Sequence, residues 1–221
     1  MQAGQMSSAE VLALVAAAGA DALCIHLNPA MELVQDDGDR DFRGGLATLE
    51  RLLGLGLPIV VKETGCGISG QVAQRVRQVG IEHVDVSGAG GTSWVAVETH
   101  RASAARKPLG QTFWEWGIPT AASVALCARH GFKTIFATGG IGSGLEVAKA
   151  IALGASAGGI ARKALQALES GGKAGALAFF DQIETELRSA MLLCGARNLR
   201  ALRNAPRLVS GELRDWLALE D

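Results

Sequence analysis

Short apolar runs alternate along this chain with amphipathic stretches, and most amphipathic stretches end at a glycine. This rhythm constrains the fold more than any other feature. The apolar runs are Ala22 to Leu27, Pro58 to Glu63, His83 to Ser87, Thr134 to Thr138 and Ser156 to Ala161. Each is strand-length and is followed by a polar or glycine-rich loop. Runs of this kind predict strands buried on both faces, in a parallel sheet covered by helices. The stretches around them read as helices: Ser8 to Ala18, Phe42 to Leu53, Ser69 to Val79, Thr120 to His130 and Ser143 to Leu153. Serines open several of them, and Gly19, Gly80, Gly131 and Gly154 stand just past their ends, as helix caps should. Strand, loop, helix and glycine in repetition is the βαβ unit.

The tail predicts a long helix from Ala174 to Leu193, with Phe179, Ile183, Leu187 and Met191 four residues apart, then short helices at Asn198 to Arg203 and Glu212 to Leu217. No linker or compositional break divides the chain, so one domain spans residues 1–221. Five strands suit a doubly wound sheet. They also suit an incomplete (β/α)8 barrel, which needs eight strands and about 250 residues. The loops decide between the two.

Composition excludes some functions. Lys and Arg number 21 against 22 Asp and Glu, so no global basic field exists to hold nucleic acid. The apolar runs are too short to span a membrane. No signal peptide is visible. Cys24, Cys66, Cys127 and Cys194 form no close pair. They read as reduced thiols of a cytoplasmic protein.

In parallel α/β folds ligands sit beyond the C-terminal ends of the strands, and those ends are rich here. His26, Asn28 and Glu32 follow the first strand. In it, His26 and Asn28 alternate with Leu27 and so share a side; they serve either a pocket or a satisfied turn before Pro29. Lys62 ends the second strand, where it reaches solvent or holds an anion. Gly88 to Trp94 follows the third strand. Gly139 to Gly144 follows the fourth and opens a helix, as a phosphate-binding turn does, though a tight turn alone would read the same way. Ala161 and Arg162 follow the fifth, and a glycine turn paired with the next strand end matches the phosphate site of barrels. Asp36 to Asp41 has the composition of a calcium loop but lacks its terminal Glu.

Taken together, His26-Leu27-Asn28-Pro29, Glu32-Leu33-Val34-Gln35, Gly38 to Phe42, Val61-Lys62-Glu63, Gly88 to Trp94, Trp116 to Thr120, Gly139-Gly140-Ile141 and Gly195 to Leu199 resemble the C-terminal part of the type 2 isopentenyl diphosphate isomerases. These are FMN-dependent barrel enzymes. The resemblance covers nearly the whole chain and implies a partial TIM-type (β/α)8 barrel, strands four to eight plus C-terminal helices. The family's first three strands have no counterpart, and Met1-Gln2-Ala3 resembles the end of its third.

The resemblance also implies roles. Lys62, Ser87 and Thr92 match flavin contacts. Gly140, Ile141, Gly142, Ala161 and Arg162 match the FMN phosphate site. Glu32 matches a Mg2+ ligand, and His26 and Asn28 match the substrate pocket. The implied reaction interconverts isopentenyl and dimethylallyl diphosphate in isoprenoid biosynthesis, with reduced FMN, and NAD(P)H as reductant. A homo-oligomer is expected. Two residues depart from the family pattern. Met31 stands where the family has a Gln that assists proton transfer, a role a thioether cannot fill. Gly142 stands where the family usually has Arg. The departures and the unmatched strands leave a second reading, a non-catalytic FMN- or phosphate-binding remnant. A third, a different flavin oxidoreductase, has no catalytic residue to support it.

Overall fold

A computed structural model describes residues 2–219. In chain order it contains α1 (Gln2–Gln5), α2 (Ser8–Ala18), β1 (Leu23–His26), α3 (Pro29–Val34), α4 (Gly45–Leu53), β2 (Ile59–Lys62), α5 (Gly70–Gln78) and β3 (His83–Asp85). Then follow α6 (Trp94–Arg101), α7 (Lys107–Thr112), α8 (Thr120–Ala128), β4 (Thr134–Ala137), α9 (Gly144–Leu153), β5 (Ala157–Gly158), α10 (Arg162–Leu193), α11 (Leu199–Arg203) and α12 (Gly211–Ala218).

The helix starts obey local chemistry. Ser7 and Glu10 close a capping box at α2, and Gly19 ends that helix in the left-handed region at φ 60°. Ser69, Ser93 and Ser143 cap α5, α6 and α9 through their hydroxyls. Each such cap satisfies an amide that the helix itself cannot.

All five strands are parallel, and their order in the sheet is the chain order β1-β2-β3-β4-β5. A doubly wound sheet reverses direction at its switch point. This sheet never reverses, so it is an arc of a (β/α) barrel with β1 and β5 at its edges.

Burial alternates along the strands. Ile25, Ile59, Val61, Val84, Ile135 and Ala137 are buried, and with Leu49, Leu52, Ile68, Val76, Ile81 and Val124 they form the main core. Cys24, His26, Val60, Lys62, His83, Asp85, Thr134 and Phe136 occupy the other positions and are half-buried or exposed. Burial on both faces is therefore not what these strands have. One face lies under helices, and the opposite, barrel-inward face keeps access to solvent.

At the amino end, Gln2–Gln5 is a helical turn rather than the end of a strand. The Arg51 guanidinium donates to the Ala3 carbonyl at 2.7 Å, which ties this turn to α4. The long tail helix starts earlier than its pattern suggests, at Arg162, and kinks at Gly172 (φ 58°). Its second half packs Ile183, Leu187 and Met191 against Val147, Ala148 and Ile151 of α9. Among the described residues no helix is long and apolar enough to cross a membrane, and no disulfide joins the four cysteines.

Candidate functional site

The carboxyl ends of the strands align their chemistry in one row. Register pairs His26 with Lys62, Lys62 with Asp85 and Asp85 with Phe136. All four stand on the inward face, because the buried positions alternate with them. The imidazole of His26 is partly covered by the sheet; that desolvation first, and the Lys62 ammonium second, lower its pKa. Lys62 donates to the carbonyl of Glu63 at 2.9 Å.

Asp85 is a residue that sequence reasoning passed over. Its Oδ1 accepts the Thr138 hydroxyl in a short hydrogen bond and the Ser87 amide at 3.2 Å. Ser87 has a positive φ of 34°, and its carbonyl accepts the amides of Gly65 at 2.7 Å and Gly67 at 3.1 Å. Asp85 thus joins the loops that follow β2, β3 and β4. A lone carboxylate between Val84 and Val86 was the available signal, since such a group needs donors where it is half-buried.

Two glycine-rich loops then lock together. The Gly88 amide donates to the Thr138 carbonyl at 3.0 Å. A Cβ on Gly139 would lie 2.1 Å from the Gly88 carbonyl oxygen, and one on Gly140 2.3 Å from that of Gly90. Here the glycines are required by loop-to-loop approach, with Gly139 and Gly140 at φ 101° and 84°. Thr120 is also part of this junction: its hydroxyl donates to the Gly139 carbonyl at 2.6 Å. The turn leads into α9, and the Gly142 amide at its end donates to Glu146 Oε2 at 2.7 Å. Ile141 is half-buried against the cores on both sides. Thr92 is exposed at the rim. Ala161 and Arg162 lie at the start of α10, exposed, and Ala161 supplies no side-chain cap.

On the β1 side the strand stops at His26, and Asn28 has a φ of 20° at the start of α3. Strand alternation therefore does not orient Asn28. It is buried, and its amide donates to Glu32 Oε1 at 3.0 Å. The other Glu32 oxygen accepts the Asp39 amide at 2.8 Å. Gly38 permits that return of the chain, since a Cβ there would strike the Glu32 carbonyl. Met31 is half-buried in the same helix. Among the described residues no three His, Cys, Asp or Glu side chains gather as a metal site. Glu32 thus offers one carboxylate, a donor set that suits Mg2+ arriving with a phosphorylated ligand and its waters.

A cavity of about 320 Å3 lies elsewhere. Leu27, Ala30, Glu63, Ile68, Trp116 and Trp216 are among its walls. None of the residues expected in the site lines it. We place the chemistry at the strand ends, where charged and hydrogen-bonding groups converge. The cavity walls are almost wholly apolar. Glu63 is the charged residue among them: it is buried, its Oε2 accepts the amides of Thr64 and Cys66 at 2.5 and 2.7 Å, and burial raises its pKa.

The family profile of FMN-dependent dehydrogenases matches residues 34–209, which include Lys62, both glycine loops and Arg162. The chain belongs to the FMN-dependent dehydrogenase family. Within the FMN-dependent dehydrogenases it is similar to the isopentenyl-diphosphate delta-isomerase of Thermococcus kodakarensis, 43% identical over 210 residues, 94% of this chain and 56% of that protein. It is also similar to the enzyme of that name from Halobacterium salinarum, 44% identical over 204 residues, 90% of this chain and 56% of that protein. The chain thus spans a little over half the length of these curated relatives. A solved mandelate oxidase variant with an FMN adduct superposes at a TM-score of 0.63, with 20% identity, over 91% of this chain and 59% of that one. That likeness confirms the barrel fold.

Proposed function

We propose that this chain carries the FMN- and diphosphate-handling part of an isopentenyl-diphosphate isomerase. The observation that supports this most directly is the row His26, Lys62 and Asp85, flanked on one side by Glu32 and on the other by the interlocked glycine loops. A row of this kind places a base, a cation and a carboxylate beside Glu32, which reaches a diphosphate through Mg2+, and beside the glycine loops that a flavin phosphate approaches closely.

In this reading Gly140, Ile141, Gly142, Ala161 and Arg162 hold the FMN phosphate, and Lys62, Ser87 and Thr92 contact the flavin. Their fit rests on the closely packed glycine loops before α9 and on the uncapped, cationic start of α10. Bound FMN supplies the redox-active ring, which NAD(P)H keeps reduced, while protein groups supply placement and charge. Lys62 places a positive charge on the inward face. His26 and Asn28 border the substrate pocket, and Asn28 holds the Glu32 carboxylate oriented for Mg2+. A homo-oligomer and a cytoplasmic location complete the reading.

One observation favours a second reading, a binding module of the same family. Met31 follows Asn28 closely and precedes Glu32, and a thioether accepts hydrogen bonds only weakly and donates none. The test is turnover of isopentenyl diphosphate with reduced FMN and Mg2+ by the chain and by Met31→Gln. An isomerase impaired at this position gains roughly 10²–10⁴-fold in the variant, the usual worth of acid–base assistance. Equal measurable rates would move proton transfer away from residue 31. Absence of turnover in both, with FMN bound, would favour the binding module.

A further inference from the structure

The turn between β4 and α9 is short of positive charge. Its Gly142 amide is taken by Glu146, and the Gly144 amide donates to Glu186 of α10 at 2.6 Å. A phosphate dianion brought there meets two carboxylates, and like charges at this range repel. Residue 142 itself, a glycine, contributes no cation.

The space that a side chain at 142 would occupy is filled from another element. A Cβ on Gly142 would lie 2.7 Å from Lys163 Cδ, 2.8 Å from Cε and 3.3 Å from Nζ. The stem of Lys163 therefore lies directly over the turn, and its ammonium stands beside it. The Gln182 amide and the Gly144 amide hold Glu186 below the usual carboxylate range, and the Lys163 ammonium contributes in the same direction.

The start of α10 supplies an independent argument. Arg162 and Lys163 are its first two residues, no acidic residue lies in its first turn, and Ala161 gives no side-chain cap. Cations at a helix N-terminus oppose the helix dipole, while anions there are favoured. Two consecutive cations on an uncapped helix start make physical sense when an anion is to be held between them and the turn.

We propose that Lys163 is a phosphate-binding residue of the cofactor site, delivered from α10 into the space left by Gly142. The inference rests on the FMN reading and deepens it: the ligand group is a phosphomonoester dianion. Lysine suits the position as a compact charge on a flexible stem.

The test titrates FMN, and riboflavin as its phosphate-free counterpart, into the wild-type chain, Lys163→Met and the double variant Lys163→Met with Gly142→Arg. Lys163 is exposed, and methionine keeps most of its stem, so the fold is retained; a thermal melt checks this. Loss of a charge-assisted contact corresponds to roughly 10-fold or more in affinity. FMN binding is expected to weaken by that factor in Lys163→Met, riboflavin binding to stay unchanged, and the Arg variant to regain FMN affinity. Equal FMN affinity in the wild type and Lys163→Met would overturn the role of Lys163 and leave the FMN reading standing. FMN bound no more tightly than riboflavin by the wild type would overturn both.

Discussion

The Thr120 hydroxyl donates to the carbonyl of Gly139 at 2.6 Å, so the first residue of α8 fastens the turn that leads into α9. The same side chain would be struck by a Cβ on Gly88. One buried threonine therefore sets the spacing of both glycine loops. Thr120→Val keeps the shape and removes the donor. We expect a loss of about 1–3 kcal/mol in stability, the range for leaving a buried acceptor unsatisfied, together with weaker FMN binding. Chemical denaturation and a flavin titration on the same variant measure the two effects. An unchanged denaturation midpoint would mean the carbonyl finds another donor.

Two glycines with positive φ separate strain from contact. Gly131, at φ 69°, has open space around its missing side chain, whereas Gly140, at φ 84°, would drive a Cβ to 2.3 Å from the Gly90 carbonyl oxygen. Gly131→Ala should cost only the left-handed conformation, roughly 1–2 kcal/mol. Gly140→Ala should cost distinctly more and displace the loop. If thermal melts show equal losses, the two loops separate more easily than their packing indicates.

Glu63 gives a pH dependence of known sign. Burial raises its pKa, against the lowering effect of the Cys66 and Thr64 amides. The stability linked to its protonated form is therefore complete below the unfolded value, about 4.3, and is lost as pH rises through the higher folded value. Glu63→Gln fixes the neutral state and keeps an acceptor for both amides. The gain in melting temperature of the variant over wild type should grow from pH 4 toward neutrality. A gain that shrinks over this range would show that the two amide bonds to the ionised carboxylate outweigh its burial.

The sheet has edges at β1 and β5 and an inward face that is only partly covered. Strand edges pair readily with other chains. Leu165, Leu168, Leu177 and Phe180 add exposed apolar surface along α10. The chain is expected to self-associate in sedimentation experiments at micromolar concentration. A monodisperse monomer with a cooperative melt would overturn this.

Much of the architecture was legible because each strand carries its signal locally. The runs around Leu23–His26, Ile59–Lys62 and Thr134–Ala137 match their strands to within two residues at each end, and Ser8–Ala18 matches its helix at both ends. What was missed depended on partners distant in sequence. An apolar run does not reveal whether its second face is covered, so two-sided burial was expected where Lys62 and Asp85 keep solvent access. Gly171 and Gly172 break the helical pattern of α10 and hid its first turns, Lys163 among them. Lys107–Thr112 contains Pro108, Gly110 and Thr112, poor helix formers, so α7 gave no signal. At the site, the strand-end residues His26 and Lys62 were visible, and the structure sets them side by side. Asp85 and Thr120 were not, because their importance lies in hydrogen bonds to loops distant along the chain: Asp85 meets Thr138, 53 residues away, and Thr120 meets Gly139, 19 residues away.

The spatial order of the strands has a consequence for biosynthesis. Each strand lies beside the one made just before it, so every new strand emerging from the ribosome finds its template already in place. Vectorial growth of this kind needs no waiting for a distant partner, and the chain entropy of closing each step is that of one short crossover. The late event is the docking of α10, when Glu186 reaches the Gly144 amide 42 residues behind it. The turn between β4 and α9 is therefore braced only after the tail has been synthesised, and a nascent chain acquires its sheet well before that brace.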